Sequence, residues 1–224
     1  MKNILVTIAF LITTITFSQS EITKEIGEFS ELKVYDLIEV ELIKSNKNEA
    51  VISGRNKSDV VIVNKNGKLK IRMKLEESFD GDNTNVKLYY TNIDIIDANE
   101  GAKIRSNDKI KQYEIELRAQ EGGEINLELK VTSADIKSVT GGVIQTSGKA
   151  QSQDISISTG GVYKGKDLKT ESTEIAIRAG GEADVNATDM LDIKIRAGGD
   201  VFVYGDPNKV NKSKALGGRI KHMD

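Results

Sequence analysis

Glu182 and Asp200 each stand two residues after the first glycine of a Gly-Gly pair, one repeat apart, and are the residues of this chain best spaced for chemistry. If their segments stack as neighbouring strands, the carboxylates lie roughly 5 Å apart. Carboxylates that close can share general acid and base work in glycoside cleavage, or hold a cation between them. Arg178 and Arg196, two residues before the same glycines, form a matching basic column. The competing reading is structural: solvated ladders in which arginine and carboxylate offset each other across a corner. An enzyme groove would also call for a loop inserted above this face, and the repeat length never departs far from 19.

Other reactive types are scarce. Histidine occurs once, as His222, close to the end of the sequence where an imidazole is poorly supported for catalysis. There is no cysteine, so disulfides, thiol chemistry and a lipid-modified N-terminal cysteine are excluded, and one histidine with carboxylates makes a poor zinc site. The Gly-Gly pairs lack the following helix that a phosphate-cradling loop needs. They also lack the Gly-Gly-x-Gly-x-Asp pattern of a calcium roll. No catalytic, cofactor or metal residue is therefore assigned. Phe202 and Tyr204 are set apart because aligned positions in earlier repeats are polar, such as Asn126, Lys164 and Asp184. Two outward aromatics fit an anchor for a partner or glycan, or packing beneath the tail that returns after Pro207. The possible binding surface is thus Arg178, Arg196, Glu182, Asp200, Phe202 and Tyr204. The basic tail, with Lys209, Lys212, Lys214, Arg219 and Lys221, fits either contact with anionic surface polymers or protection of an open strand edge.

These residues are positioned by a repeat. The first glycines of the pairs fall at Gly122, Gly141, Gly160, Gly180, Gly198 and Gly217, with steps of 19, 19, 20, 18 and 19, and Gly101 is a weaker copy 21 residues earlier. Five residues before the glycine stand Leu117, Ile136, Ile155, Ile175 and Ile193; three after it stand Ile125, Ile144, Tyr163, Ala183, Val201 and Ile220. Five after it, Leu127, Val185 and Val203 are apolar but Thr146 and Gly165 are not. This alternation gives each strand one buried and one wet face. A repeat so short buries its apolar face only by stacking on its neighbours. The fold class expected is all-β: a single-stranded right-handed parallel β-helix with two or three short strands per coil and glycine corners.

Residues 98–224 carry the regular coils, and 19–97 read as an irregular β region that forms either first coils or a cap. Within it, strand-like runs cover 32–43, 50–53, 60–63, 69–73 and 86–90, with a loop over 76–85. Asn66-Gly67 sits between two runs and marks a hairpin, since both residue types tolerate positive φ. Residues 1–18 read as a secretory signal: Lys2, an apolar stretch over 4–17 with four threonines, and a cleavage site after Ser18. Fourteen such residues fall short of the roughly 20 a membrane span needs. Without Lys2 the chain has 31 basic and 34 acidic residues, a net charge of -3. That balance, with aromatics at 5% and no tryptophan, excludes a dedicated nucleic-acid binder.

The opening Phe29-Ser-Glu-Leu-Lys-Val34, leading into Ile38-Glu-Val-Glu-Leu42, the segment Asn66-Gly-Lys-Leu-Lys-Ile71 and the recurring Ile-x-Ile-x-x-Gly-Gly coils resemble the putative auto-transporter adhesins with a head GIN domain, found mainly in secreted proteins of Bacteroidetes. The resemblance covers nearly all of the chain after the signal. It implies a β-helix and an extracytoplasmic location, and brings no catalytic motif with it. The expected function is a secreted, non-enzymatic protein of the cell envelope or periplasm that binds glycans or envelope proteins. It is not expected to span the membrane, and self-association of rods is left open. The alternatives are a polysaccharide-active β-helix enzyme, lyase or hydrolase, and a structural envelope component.

Overall fold

The computed structural model describes residues 21–223, so the signal read over 1–18 lies outside the described residues. They form one 17-stranded sheet wound into a β-solenoid. Its regular part begins with β8 (Ile95–Ala98), β9 (Lys103–Ser106) and β10 (Ile110–Ala119). It continues through β11 (Glu124–Val139), β12 (Val143–Ser158), β13 (Val162–Ile177) and β14 (Glu182–Ala197). β15 (Asp200–Val203), β16 (Lys209–Leu216) and β17 (Arg219–His222) make the last described coil and a half. Every neighbouring pair in this part is parallel, and the apolar positions stack in register, as in Ile136↔Ile155 and Ile155↔Ile175.

Two or three short strands per coil were expected; the structure instead runs one 16-residue strand through each of four coils. Each of these strands bends once, and burial shows where. In β11 the buried positions are Ile125, Leu127, Leu129 and Val131, then Ala134, Ile136 and Ser138, with the phase broken at Thr132 and Ser133. Two successive residues off the interior require the chain to turn there. Each coil thus has two faces joined by a Gly-Gly corner and by this second bend.

The corners are tight turns. At residues 120–123, Glu121 (φ 53) and Gly122 (φ 76) are both left-handed, and Gly123 N donates to Gln120 O at 2.9 Å. That is a type I′ turn, whose twist suits a sharp reversal of a β chain. The two glycines at a corner serve different ends. Gly141 has φ +72 and open space around it, whereas a Cβ on Gly142 would stand 2.2 Å from the carbonyl oxygen of Ala119 in the coil before. The first supplies a dihedral; the second lets two coils touch. The step of 20 between Gly160 and Gly180 has a local cause, an irregularity where Gln145 and Ser147 face Lys164 and Asp167 and the longer strand carries one extra residue.

The N-terminal region turns out to be both coils and cap. β2 (Glu31–Val34) and β3 (Glu39–Lys44) lie parallel to β8 and β9, joined by a corner at Asp36 and Leu37, both left-handed. On their other side β2 pairs with β6 (Lys68–Met73) and β3 with β7 (Thr84–Tyr90), also in parallel. The first coil in the chain is therefore second in the stack. Beyond it the winding ends in antiparallel strands: β5 (Val60–Lys65) on β6 through the Asn66-Gly67 hairpin, β4 (Glu49–Gly54) on β7, and β1 (Ile22–Glu25) on β4. Asp36, only 6% exposed, ties the 74–83 loop down by accepting the Met73 and Phe79 amides at 3.0 and 3.1 Å.

The interior is a stack of aliphatic columns, with Leu32, Ile96, Leu117, Ile136, Ile155, Ile175 and Ile193 all at 0 or 1% exposure. Stacking identical side chains one strand spacing apart buries each against the next, which a single repeat cannot do alone.

Candidate functional site

The strands hold outward side chains in straight columns, one residue per coil, separated by roughly 4.8 Å. On the face preceding the Gly-Gly corner, Glu116, Asp135, Asp154, Glu174 and Asp192 share one register position. Beside them Arg118, Lys137 and Lys194 occupy a second. The two columns offset each other in part, since Ser156 and Ala176 fill the second column beside Asp154 and Glu174. Arg118 grips Glu116 with two bonds of 2.7 Å, Lys137 reaches the same carboxylate at 2.6 Å, and Lys194 lies 3.3 Å from Asp192. Partial burial pushes the Glu116 carboxyl up, but the hydrogen bonds from Arg118 and Lys137 outweigh it and hold the group below its ordinary value.

The sequence-predicted residues lie on β14 and β15 and in the turns beside them. Glu182 and Asp200 are register partners on β14 and β15, so the expected adjacency is present. The expected offset by Arg178 and Arg196 is not: both arginines are exposed, and neither has an ion pair among the described residues. Asp200 is instead held by Arg219, its partner on β17, through bonds of 2.9 and 2.6 Å that draw its carboxyl below the ordinary range. The reason is geometric: residues one coil apart meet side by side, whereas the corner separates those four positions apart in sequence. Phe202 is half-buried on the outward face between Asp184 and Lys221. Tyr204 is also half-buried, and its amide donates to Val185 O at 2.8 Å. The tail after Pro207 does return, as β16 and β17 laid parallel on β14 and β15. His222 lies 3.3 Å from the Lys212 ammonium.

A column that sequence reasoning missed lies on the opposite face, beside the second bend. Lys111, Lys130, Lys149 and Lys169 are consecutive register partners on β10 to β13, all exposed. None has an ion pair among the described residues; the nearby Glu128 is taken by Lys109 at 2.7 Å. Lys130, Lys149 and Lys169 flank a cleft of about 490 Å³. Its floor includes Val131, Ala150 and Thr170, and its rim Thr132, Gln151, Glu171 and Thr188. Each lysine stands eleven residues before the first glycine of its corner, and the acidic column stands six before. Both columns are written in the sequence as constant offsets from the glycine. Among the described residues no group of three or more His, Cys, Asp or Glu converges as a metal site would. None of the described helices is long and apolar enough to cross a membrane.

Residues 28–207 match the family described as putative auto-transporter adhesin, head GIN domain. Search of the curated proteins finds no match. Among solved structures, a putative adhesin from Bacteroides fragilis is similar at 17% identity and a TM-score of 0.82, covering 92% of this chain and 98% of that one. A putative adhesin from Parabacteroides merdae follows at 18% identity and a TM-score of 0.70, covering 92% and 96%. A putative lipid binding protein from Parabacteroides distasonis has 18% identity and a TM-score of 0.67, covering 92% and 98%. At these identities the likeness establishes the fold alone.

Proposed function

This chain belongs to the putative auto-transporter adhesin, head GIN domain family, and from that premise we propose that it is a non-enzymatic, extracytoplasmic binding protein whose rod presents a long side to glycans or proteins of the cell envelope. The observation that carries the reading is the set of straight outward columns, five carboxylates long on one face and four lysines long on the other. A solenoid fixes such side chains at a constant spacing, so a linear or repeating ligand meets the same group at every coil. Preorganisation of this kind lowers the ordering cost of binding. Glu182, Asp200, Phe202 and Tyr204, with Arg178 and Arg196 nearby, offer a second, mixed surface near the last coil.

The test is a glycan array combined with saturable binding to purified envelope fractions, followed by an assay for new reducing ends on every glycan bound. Saturable binding without product supports the reading. Release of product would replace it with a polysaccharide-active enzyme, and absence of binding to any glycan or envelope fraction would leave a structural role.

A further inference from the structure

We infer that the column formed by Lys111, Lys130, Lys149 and Lys169 is a binding site for a linear acidic polysaccharide, with one carboxylated sugar per coil. This rests on the envelope-binding reading and gives it a ligand class.

The first argument is that the fold does not ask for these lysines. Like charges directly opposite one another on neighbouring strands are destabilising, and here four are stacked in succession with no ion pair among the described residues. Lysine on an edge strand keeps sheets from joining, but Lys130, Lys149 and Lys169 stand on strands paired on both sides at those positions. On the other face three of the five stacked carboxylates have a basic partner: Arg118 and Lys137 reach Glu116, Lys137 lies 3.5 Å from Asp135 and Lys194 lies 3.3 Å from Asp192. The lysine column has been left without such partners, and Glu171 on the rim and Asp167 nearby form no ion pair with Lys169.

The second argument is the shape beside the column. The floor of Val131 and Ala150 is apolar, and the rim of Thr132, Gln151 and Thr188 is polar, with Glu171 as its one carboxylate. A pyranose ring has the same division, with C–H groups on its faces and hydroxyls around its edge, so it can rest on such a floor while its hydroxyls meet the rim.

The third argument is period. The ammonium groups repeat at roughly 4.8 Å along the rod. An extended polypeptide places successive side chains of one face roughly 6.8 Å apart, and the phosphates of a B-form strand advance by roughly 3.4 Å. A chain of linked uronic acids carries one carboxylate on every ring, so a tetramer brings several carboxylates to the four lysines at once. Such charges add their attractions along a single ligand, and the sum falls as salt screens them.

The experiment measures binding of polygalacturonate tetramers and octamers by titration calorimetry, beside neutral dextran, phosphatidylglycerol vesicles and oligothymidylate. The proteins compared are the wild type, a variant with all four lysines changed to glutamine, and a tail variant carrying K209Q and K221Q. Expected are binding of both uronate oligomers that weakens about tenfold between low and physiological salt, no binding of dextran, a loss of about 100-fold in the four-lysine variant, and no change in the tail variant. The four-lysine variant should melt no lower than the wild type. The site assignment is overturned if the four-lysine variant retains binding, if the tail variant loses it, if vesicles or oligothymidylate bind more tightly than the uronates, or if removing the lysines lowers the melting temperature by several degrees. Uronate binding that survives in the four-lysine variant would sink this site and leave the envelope-binding reading intact. That wider reading falls if no glycan or envelope fraction binds at all, or if a bound glycan is cleaved.

Discussion

The phenol oxygen of Tyr163 lies 2.7 Å from Oγ1 of Thr146, with both residues sealed inside the solenoid at 0 and 1% exposure. This contact accounts for the two exceptions in the apolar column five residues after the glycine. Thr146 supplies a partner for the phenol, and Gly165 supplies room, since a Cβ there would stand 2.4 Å from Cε1 of the Tyr163 ring. The ring fills what a side chain at 165 would have filled. The network continues inward, with Tyr163 donating to Gln153 at 2.7 Å, Gln153 to Thr173 at 2.9 Å, and Thr173 within 2.7 Å of Thr170.

Removing the phenol hydroxyl strands buried partners. Tyr163→Phe leaves Gln153 Oε1 without its donor and Thr146 without its partner, at a cost of about 1–3 kcal/mol. For a chain of this size that lowers the melting temperature by roughly 2–4 °C per kcal/mol. An unchanged melting temperature would show that the two groups find other partners. Burial holds the phenol protonated far above the usual range, so the wild type should show no loss of this bond at any pH below 10.

The two glycines of one corner should differ in what they tolerate. Gly141→Ala meets open space and costs only the left-handed strain of about 1–2 kcal/mol. Gly142→Ala drives a Cβ into the Ala119 carbonyl and forces neighbouring coils apart, costing about 3 kcal/mol or more. Denaturant melts of the two variants check this, and equal losses would refute the division of labour between them.

Glu116 should make an acid-sensitive contribution. Its carboxyl is held below the ordinary 4.5 by Arg118 and Lys137, so the stabilisation is fully present above that value and disappears as pH falls through the lower folded-state value. Glu116→Gln should therefore melt below the wild type at pH 7, by an amount worth about 1 kcal/mol given the partial exposure of its partners. The gap should close as the pH falls below the carboxyl's lowered folded-state value. A gap independent of pH would mean that packing, not charge, is what the substitution removes.

The last coil breaks the aliphatic columns on purpose-built positions. Lys212 is the register partner of Ile193, and Lys214 that of Ile195, so two ammonium groups stand where isoleucines would continue the stack. Both are exposed, and Lys214 caps the turn by donating to Gly218 O at 3.2 Å. Inward-pointing charge at an open end disfavours pairing with another sheet. Lys212→Ile with Lys214→Ile should produce concentration-dependent oligomers by light scattering, while the wild type does not grow with concentration in the same way.

Much of the architecture was legible from residue order. The glycine steps near 19, the aliphatic columns and the Asn66-Gly67 hairpin each follow from local constraints, because period-two burial and positive φ are properties of a residue and its immediate neighbours. The bend at Thr132 and Ser133 was not legible: it is a phase slip of one residue inside a run that otherwise alternates, and polar residues on both sides hide it. The place of the first coil was equally hidden, since β2 and β3 enter the stack between strands that come later in the chain. Of the candidate surface, the adjacency of Glu182 and Asp200 could be read from equal offsets, whereas the partner of Asp200 could not.

By itself the sequence determined the solenoid, the length of its coil and which side chains alternate inward, because a strand's alternation and a corner's dihedrals are written locally. Tertiary structure alone decided which charges meet. Arg219 rather than Arg196 reaches Asp200, and Arg118 and Lys137 meet Glu116 while four lysines on the opposite face have no ion pair among the described residues. The physical reason is that ion pairing depends on separations of a few ångströms between coils, and those separations exist only after the winding and the second bend have set each column beside its neighbour.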